Sequence, residues 1–345
     1  MTTQWYLKPA KLINSSDLEA ARAHQAQLTK PPESLGRLED IAISFCGWQQ
    51  TKKPECTKVQ IIVFAADHGI CAQDVSAFPQ EVTAQMVQNF ISGGAAISVL
   101  AKQLNAQFNV VNLGLATAID DSPTLVNSPL MSGTNDFTAD SAMSKAALLD
   151  ALQLGRETVN PQSHLFIGGD MGIGNTTSAS AIYSVLLKLP PETTVGPGTG
   201  VDKNGMSIKR QVLYKAFNRH GHELKEPLDV LQRIGGLEIA GLVGAYIASA
   251  QAGVPILVDG FISTAAALLA TEINSSTREW MMFAHKSTEP AHNLALTSLN
   301  AQPLLDFSMR LGEGSGAAVA TPLIISALQL HNDMATFTNA GISQS

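Results

Sequence analysis

Short runs of apolar, often β-branched residues recur along the chain, and each ends abruptly in a polar residue or a glycine. A segment with helical spacing follows each of these runs, which cover residues 59–66, 108–113, 164–167, 256–258 and 280–284. Strands that are buried on both faces read as continuous apolar runs, and their alternation with helices is typical of a parallel sheet. The pattern therefore predicts an α/β fold, a mostly parallel open sheet flanked by helices of the Rossmann-like class.

The two ends of the chain lack this alternation of strands and helices and show helical patterns instead. The first fifty or so residues have helical patterns, with Ser16-Asp17 as the expected cap, and residues 316–330 form a strongly apolar helix. We therefore expect a smaller helical domain built from residues 1–55 together with 316–345. Residues 56–315 would form the large α/β domain.

One stretch has about the length of a membrane span, because residues 239–258 contain no charged side chain. Gln251, Gly253 and Pro255 interrupt this stretch, which favours a buried helix to Ala250, a turn and a short strand. The N-terminus also lacks the apolar core of a signal peptide. Three cysteines without metal-ligand spacing agree with a reducing compartment. We expect a cytoplasmic protein with no membrane partner.

Charge narrows the possible partners further. The net charge is −7, and the 22 basic residues are spread along the chain. Nucleic-acid binding would need a clustered basic face, so a nucleic-acid partner is not expected. Only 15% of residues are charged while 45% are hydrophobic, a composition that suits a surface shared between subunits.

The first candidate site is the glycine-rich segment 168–177, GGDMGIGNTT, which follows a predicted strand and opens a predicted helix. Such a turn points main-chain N–H groups and the helix dipole at one spot, which suits a phosphate. Asn175, Thr176 or Thr177 would cap the helix or donate hydrogen bonds. A tight turn without a ligand is the plain alternative. A dinucleotide site is disfavoured because the acidic residue about twenty positions on, Glu192, lies in a proline-rich loop.

A second glycine-rich loop, residues 195–202, leads into a helix that carries Lys203, Lys209 and Arg210. A lysine there could reach the same phosphate, although each could equally be a solvated surface residue. Ser287 follows a strand end and could donate to the anion or simply cap a helix. These residues extend the candidate phosphate site across distant parts of the chain.

Glu313 lies between Gly312 and Gly314, before an apolar helix. A carboxylate held among glycines beside apolar walls would be desolvated, and the raised pKa would make it a better general base. The alternative is an acidic residue in an exposed loop. His68, His285 and His292 lack metal-ligand spacing and are expected to be structural. No metal and no cofactor are expected.

Several longer stretches together resemble the nicotinate-nucleotide:dimethylbenzimidazole phosphoribosyltransferase family over nearly the whole chain. They are KPPESLGRLE (30–39), FAADHGI (64–70), FPQEVTAQMVQNFISGGAAISVLAK (78–102), GDMGIGNTTSASAI (169–182), VGPGTGVD (195–202), GGLEIAGLVGAYIASAQAGVPILVDGFISTAAALLA (235–270), HKSTEPAH (285–292) and LLDFSMRLGEGSGAA (304–318).

The resemblance implies a two-domain homodimer in which Glu313 is the catalytic base. It assigns nucleotide and phosphate binding to Asp170, Gly172, Ile173, Gly174, Asn175, Thr176, Thr177, Lys209 and Ser287. It places the benzimidazole pocket at Ser76, Phe78 and Gln85, with Met171 and Leu311 as apolar walls. Two departures stand out: Asp170 replaces a common glutamate, and Glu33 replaces a common glycine. The shorter carboxylate puts in doubt any contact that the longer one would make to substrate.

The implied reaction moves the phosphoribosyl group of nicotinate mononucleotide to 5,6-dimethylbenzimidazole, in the assembly of the cobalamin nucleotide loop. Nicotinate in its mononucleotide is a pyridinium and a good leaving group, so the chemistry requires no Mg²⁺. Two alternatives remain at this stage. One is a related enzyme that uses another planar acceptor, and the other is a non-catalytic nucleotide-binding regulator.

Overall fold

A single parallel sheet organises the chain in the computed structural model, which describes residues 4–198 and 200–343. Its seven strands are ordered β3-β2-β1-β4-β5-β6-β7, and every neighbouring pair is parallel. The strands are β1 Val59–Ala66, β2 Gln107–Gly114, β3 Leu125–Asn127, β4 Leu165–Met171, β5 Ile256–Val258, β6 Met281–His285 and β7 Pro303–Leu305.

This sheet confirms the predicted fold class. All five apolar runs form strands, and β1 and β5 have the predicted bounds. The sequence pattern did not predict β3 and β7, because they are three-residue edge strands whose side chains are not fully buried. An edge strand lacks the continuous apolar run that a doubly covered strand shows.

Helices cover the sheet and account for most of the remaining chain. They are α1 Ser15–Gln25, α2 Arg37–Gln49, α3 Val82–Ile91, α4 Ala96–Gln103, α5 Lys145–Thr158, α6 Asn175–Leu186, α7 Pro191–Thr194, α8 Lys203–His220, α9 Pro227–Ile234, α10 Leu237–Ala252, α11 Phe261–Ile273, α12 Pro290–Ser298, α13 Ser315–Asp333 and α14 Phe337–Ala340.

The long apolar stretch folds as the sequence predicts. It forms α10, stops at the left-handed Gly253 and continues as β5. Nearly all of α10 is buried inside the protein. Across residues 4–198 and 200–343, every helix falls short of the length or the apolarity that a membrane crossing needs.

The two chain ends pack together, since α2 contacts both α1 and α13. The expected cap at Ser16-Asp17 is wrong: Asn14 caps α1, and its Oδ1 accepts from the N–H groups of Ser16 and Asp17. Glu33 has a φ of +61°, a left-handed conformation that glycine adopts more readily than glutamate. A separate domain formed by residues 1–55 and 316–345, whose outermost residues lie outside the described ranges, stays a prediction.

The strand order places a topological switch point between β1 and β4. From β1 the chain runs outward to β2 and β3, then returns to β4 on the other side of β1. Crevices at such switch points, beyond the carboxyl ends of the strands, are where open α/β sheets bind ligands. The glycine-rich loop follows β4 and therefore lies at this crevice.

Helix α5 and α10 pack with their backbones in close contact, and glycines make this possible. A Cβ on Gly155 would overlap the carbonyl oxygen of Gly241, and one on Gly244 would overlap that of Leu152. The contact places α10 against β1, β2 and β4. Small residues at this crossing therefore allow α10 to cover the centre of the sheet.

Overpacking usually costs about 1–3 kcal/mol, and alanine in a helix regains about 1 kcal/mol of propensity. We therefore predict that Gly155→Ala lowers the free energy of unfolding by up to about 2 kcal/mol. Urea unfolding followed by circular dichroism measures it. Gly221→Ala is the control, because no heavy atom lies within 4 Å of the added methyl group. Equal stability of the two variants would contradict the packing argument.

Candidate active site

A narrow cleft opens at the carboxyl ends of β4, β5 and β6. It holds about 470 Å³ of space between the protein atoms, part of it open to solvent. Its lining residues come from distant parts of the chain: Asp170, Asn175, Thr176, Gly198, Gly260, Phe261, Ile262, His285, Ser287, Glu289, Arg310, Leu311 and Gly312. Most of these side chains are polar, so the cleft suits a ligand that carries charge.

Glu313 lies directly behind this lining and is buried, with 6% of its surface exposed. Its φ is +65°, and Gly312 and Gly314 on either side both have φ of +87°. A Cβ on Gly169 of β4 would overlap the carbonyl oxygen of Glu313, so the turn lies flat against that strand. The exposed-loop alternative is therefore wrong, and the sequence argument for a desolvated carboxylate agrees with the structure.

Burial raises the pKa of the Glu313 carboxyl above its ordinary value. The main-chain N–H of Ile97, near the start of α4, opposes this shift, and the negative charge of Asp259 adds to it. The Oε2 atom of Glu313 is buried and contacts no hydrogen-bonding partner in the described part of the chain. A carboxylate with a raised pKa and a free oxygen is chemically suited to accept a proton.

Asp170 ends β4 beside this turn and is also buried. Its Oδ2 accepts a hydrogen bond of 3.0 Å from the side-chain amide of Asn175, at the start of α6. Burial raises the pKa of Asp170 well above its ordinary range, and the charges of Asp259, Glu238 and Glu313 reinforce the shift. The short side chain thus binds the glycine-rich loop from within the cleft.

The glycine-rich loop turns sharply from β4 into α6. Gly174 has a φ of +97° and occupies the cap position, where no side chain caps the helix. Capping by Asn175, Thr176 or Thr177 is therefore wrong, because a left-handed glycine makes the turn and leaves those side chains inside the helix. The alternative role as a hydrogen-bond donor holds for Asn175, which donates to Asp170. A Cβ on Gly172 would lie 2.5 Å from the carbonyl oxygen of Ala66, so β1 approaches closely.

Part of the loop's hydrogen-bonding capacity is already used by the protein. The N–H of Ile173 donates to Thr83, that of Asn175 to Gly172 and that of Thr177 to Gly174. Within residues 4–198 and 200–343, the N–H groups of Gly174 and Thr176 have no protein acceptor. An anion at this helix start would therefore be held by few main-chain donors and would need further donors from elsewhere.

Lys209 of α8 supplies a cationic donor. Its Nζ donates to the Thr176 hydroxyl at 2.8 Å, and the residue is 2% exposed. Burial lowers the pKa of Lys209 to about 8, partly offset by the nearby carboxylate of Glu289. Lys203 is exposed and Arg210 is half-buried on the same helix, so of the three basic residues only Lys209 is buried against the glycine-rich loop.

Glu289 and Arg310 hold the second glycine-rich loop between them. The Oε1 of Glu289 accepts from the Gly198 N–H at 3.0 Å, and Arg310 donates to the Gly198 carbonyl at 3.2 Å. A Cβ on Gly198 would lie 3.0 Å from the Lys209 Nζ. The loop thus closes over the lysine only because this position carries no side chain.

His68 and His292 hydrogen-bond with protein groups, as expected of structural residues, whereas the Nδ1 of His285 is buried without a partner among the described residues. His68 lies beneath the glycine-rich loop and bonds Glu238 at 2.8 Å and Ser178 at 3.2 Å. His285 lies 3.6 Å from Asp259. His292 accepts from the N–H of Ser287 at 2.9 Å and so orients the strand-end turn that carries that serine. Among the described residues, no cluster of His, Cys, Asp or Glu has the composition of a metal site.

The predicted benzimidazole residues are more exposed than the rest of the site. Phe78 and Leu311 are 48% and 58% exposed, and Gln85 is exposed on α3. Ser76 accepts from the N–H of Phe78 and fixes that short turn. Met171 is half-buried at the end of β4. Two residues later, the N–H of Ile173 donates to the hydroxyl of Thr83 on α3. The structure thus brings α3 beside the glycine-rich loop, while the pocket these residues would form stays a prediction.

Sequence reasoning missed three residues of the site: Asp259, Glu289 and Arg310. Each lies within or beside a stretch that carried a recognised motif, but a single carboxylate or guanidinium in such a stretch has no spacing signal. Asp259 directly follows β5, and this position at a strand end was the one signal that could have identified it. Glu289 and Arg310 each bind a main-chain group of Gly198, in a loop that only folding brings close to them.

Comparison with known proteins gives a consistent result. The model of a phosphoribosyltransferase family, DBI_PRT, matches residues 11–342. The chain is 48% identical to a nicotinate-nucleotide–dimethylbenzimidazole phosphoribosyltransferase of Xanthomonas axonopodis pv. citri and 49% identical to one of Pseudomonas fluorescens, over 99% of each chain. The crystal structure of CobT from Thermus thermophilus superposes with a TM-score of 0.92 at 41% identity, covering 96% of this chain and 100% of that one.

Because the pKa of Lys209 is about 8, we predict that the site loses affinity for an anion as pH rises through that value. Sulfate is a suitable probe, since its own charge is constant in this range. Its dissociation constant, measured by calorimetry on both sides of pH 8, should rise on the alkaline side.

Lys209→Gln should weaken sulfate binding and remove this pH dependence, while Lys203→Gln on the same helix should change neither. Sulfate binding that does not vary with pH in the wild type would show that Lys209 does not contact the anion.

Proposed function

The chain belongs to the nicotinate-nucleotide–dimethylbenzimidazole phosphoribosyltransferase family, and we propose that it transfers the phosphoribosyl group of nicotinate mononucleotide to 5,6-dimethylbenzimidazole. The products are nicotinate and α-ribazole 5′-phosphate, the nucleotide that provides the lower ligand of cobalamin.

The observation that carries this proposal is that one cleft adjoins both a candidate base and a candidate phosphate site. The turn behind its lining carries the buried Glu313, whose Oε2 has no partner in the described part of the chain, and Thr176 of its lining is bound by the Nζ of Lys209. Nicotinate mononucleotide offers a phosphate for the Lys209 site and a reacting anomeric carbon for the base. A substrate bound in this orientation places its anomeric carbon between the two groups.

We assign the proton transfer to Glu313. One nitrogen of the benzimidazole attacks the anomeric carbon from the face opposite nicotinate, and the C–N bond to nicotinate breaks with its electron pair leaving on that ring. Glu313 takes the N–H proton of the second nitrogen, so the product is neutral at the new bond. Attack on the opposite face converts the β-nucleotide into an α-nucleotide.

We assign the phosphate to the glycine-rich loop, Lys209 and Ser287. The N–H groups of Gly174 and Thr176, which have no acceptor within residues 4–198 and 200–343, lie at a helix start, where the dipole favours an anion. Lys209 adds a positive charge and Ser287 a hydroxyl. Because three separate segments contribute, binding of the phosphate would also hold the ribose in register with Glu313.

The identity of the acceptor depends on the predicted pocket, and an apolar slot accepts many planar rings. Ser76, Phe78, Gln85, Met171 and Leu311 are our candidates for this slot. Incubation of the protein with nicotinate mononucleotide and a panel of benzimidazoles, adenine and phenols, with products resolved by chromatography, tests the proposal. Preferential turnover of adenine or a phenol would support the alternative acceptor class instead.

A non-catalytic regulator is disfavoured by the state of Glu313. A protein that only binds a nucleotide has no use for a desolvated carboxylate held in a left-handed turn, which costs free energy to fold. If the protein bound nicotinate mononucleotide but released no nicotinate with any acceptor in the panel, the regulator would be the better interpretation.

We also propose that the chain acts as a homodimer. Val99 on α4 and Leu323 and Ile325 on α13 are apolar and partly exposed, on helices that contact each other. A shared surface would remove these side chains from water. Light scattering on the purified protein measures the mass directly. Free thiols at Cys46, Cys56 and Cys71 further support our expectation of a reducing, cytoplasmic environment.

We predict that Glu313→Gln lowers kcat by about 10²- to 10⁴-fold, the usual contribution of a positioned general base. The dissociation constant for nicotinate mononucleotide should change little, because the phosphate contacts lie at the other end. Steady-state kinetics and calorimetry measure the two effects. Glu157→Gln, the same change at an exposed position of α5, is the control and should retain full turnover. Near-normal turnover of Glu313→Gln would remove Glu313 from its role.

A further prediction concerns the glycine-rich loop. Gly174→Ala places a Cβ at a φ of +97° and 2.8 Å from the Cys71 sulfur, so the loop must shift and its N–H groups should lose the phosphate. Affinity for nicotinate mononucleotide should fall, while affinity for nicotinate riboside, which lacks the phosphate, should not. Gly341→Ala introduces a left-handed alanine with open space around it and is the control. A variant that still distinguishes nucleotide from riboside as the wild type does would place the phosphate elsewhere.

A further inference from the structure

We propose that Asp259, with His285 beside it, is a positioning residue that holds the 312–314 turn and thereby sets the place of the Glu313 carboxylate. This inference rests on the proposed function and extends it to residues that contact the base rather than the substrate.

The first support is a pair of hydrogen bonds that join the start of α13 to Asp259. Asp259 directly follows β5 and is fully buried. Its Oδ2 accepts from the N–H of Gly314 at 3.2 Å, and its Oδ1 accepts from that of Ala317 at 2.8 Å. Both donors belong to the start of α13, directly after Glu313. One carboxylate therefore joins the base-bearing turn to a different strand.

The second support is the enclosure of this carboxylate by His285. The imidazole Nε2 lies 3.6 Å from Asp259 Oδ1, and both side chains are buried. A Cβ on Gly316 would overlap the His285 ring, and one on Gly260 would lie 3.0 Å from its Nε2. Two glycines thus make room for the ring against the start of α13. His285 also lines the cleft, so the pair connects the turn with the site.

The turn needs such an anchor because its backbone is unfavourable for a residue with a side chain. Three successive residues, 312–314, have positive φ, and the middle one is Glu313. A left-handed conformation is unfavourable for a residue that has a Cβ. Without the two hydrogen bonds, relaxation of φ at Glu313 would rotate its carboxylate. Misplacement of a reacting group by about 1 Å can cost about 10²-fold in rate.

The negative charge of Asp259 affects the pH dependence of activity, which a purely structural role of Asp259 would leave unchanged. The groups facing Glu313 are Asp170 at the end of β4, the Asp259–His285 pair at the ends of β5 and β6, and the N–H of Ile97 at the start of α4. Asp259 raises the pKa of Glu313. Glu313 must be ionised to act as a base, so activity falls on the acid side as Glu313 becomes protonated.

The test compares Asp259→Asn with the wild type by steady-state kinetics over a range of pH. We expect kcat to fall on the order of 10²-fold, with KM for nicotinate mononucleotide changed only a few-fold because the phosphate contacts remain. Removal of the negative charge lowers the pKa of Glu313, so the acid limb of the kcat profile should move to lower pH. Unchanged kcat and an unchanged limb would overturn the proposal.

A double variant shows whether Asp259 acts through Glu313. In the Glu313→Gln background the base is already absent, so Asp259→Asn should cause little further loss of kcat. Losses that multiply would mean that Asp259 acts by another route, and the proposal would be wrong. If instead the wild type made no α-ribazole phosphate, or Glu313→Gln kept its turnover, the proposed function would fail rather than this inference.

His285→Gln provides a second measurement, which also decides the matter if Asp259→Asn does not fold. Burial raises the pKa of Asp259 and the imidazole opposes this shift, so removal of the imidazole should let Asp259 become protonated at higher pH. A protonated Asp259 accepts the two N–H groups less strongly and releases the turn. The acid limb should therefore move to higher pH, opposite to its movement in Asp259→Asn.

The control for this measurement is Asn14→Ala, which removes a side chain that accepts from two N–H groups at the start of α1. It should leave kcat and the acid limb unchanged, because α1 carries no residue of the cleft. A limb unmoved in His285→Gln would overturn the role of the pair.

Discussion

The contact between the 312–314 turn and strand β4 is the constraint on which the rest of the site depends. Gly169 lacks a side chain, and the carbonyl of Glu313 occupies the space where a Cβ would be. The turn can lie this close only if its own backbone is left-handed, which the flanking glycines accept readily and Glu313 accepts at a cost. The contact puts a carboxylate at the carboxyl edge of the sheet, next to Asp170 and across the cleft from α6. Without it, Glu313 would not lie beside the cleft that the start of α6 also lines.

Burial then gives these groups their chemical properties. Desolvation raises the pKa values of Asp170 and Glu313 and lowers that of Lys209 to about 8. Each shift brings the group nearer to neutrality, so the cleft carries less fixed charge than its residues suggest. A bound phosphate favours protonated Lys209, so binding of an anion and protonation of this lysine are coupled in the site.

The site is assembled from segments that are far apart in sequence and supported by residues that hold other residues in place. Glu289 and Arg310 hold Gly198, His292 orients Ser287, and Asp259 holds the base turn. These contacts are hydrogen bonds between a side chain and a main-chain group. They explain why the glycines of the loops matter as much as the polar residues, because each leaves a main-chain group open to a distant side chain.

The sequence by itself determined the sheet strands with continuous apolar runs, the helical ends, the turn after β4 and the isolation of Glu313 among glycines, because these depend on local periodicity and on backbone preferences. Resemblance to a family added proposed roles for those positions. Only the tertiary structure decided the edge strands β3 and β7, the cap at Asn14, the left-handed start of α6, and the choice of Lys209 over Lys203 and Arg210. It alone joined Asp259 to the turn of Glu313, since a hydrogen bond between residues 55 positions apart leaves no periodic trace in the sequence. Local patterns report the burial and backbone conformation of a residue, whereas its partner is chosen by the packing of the whole chain.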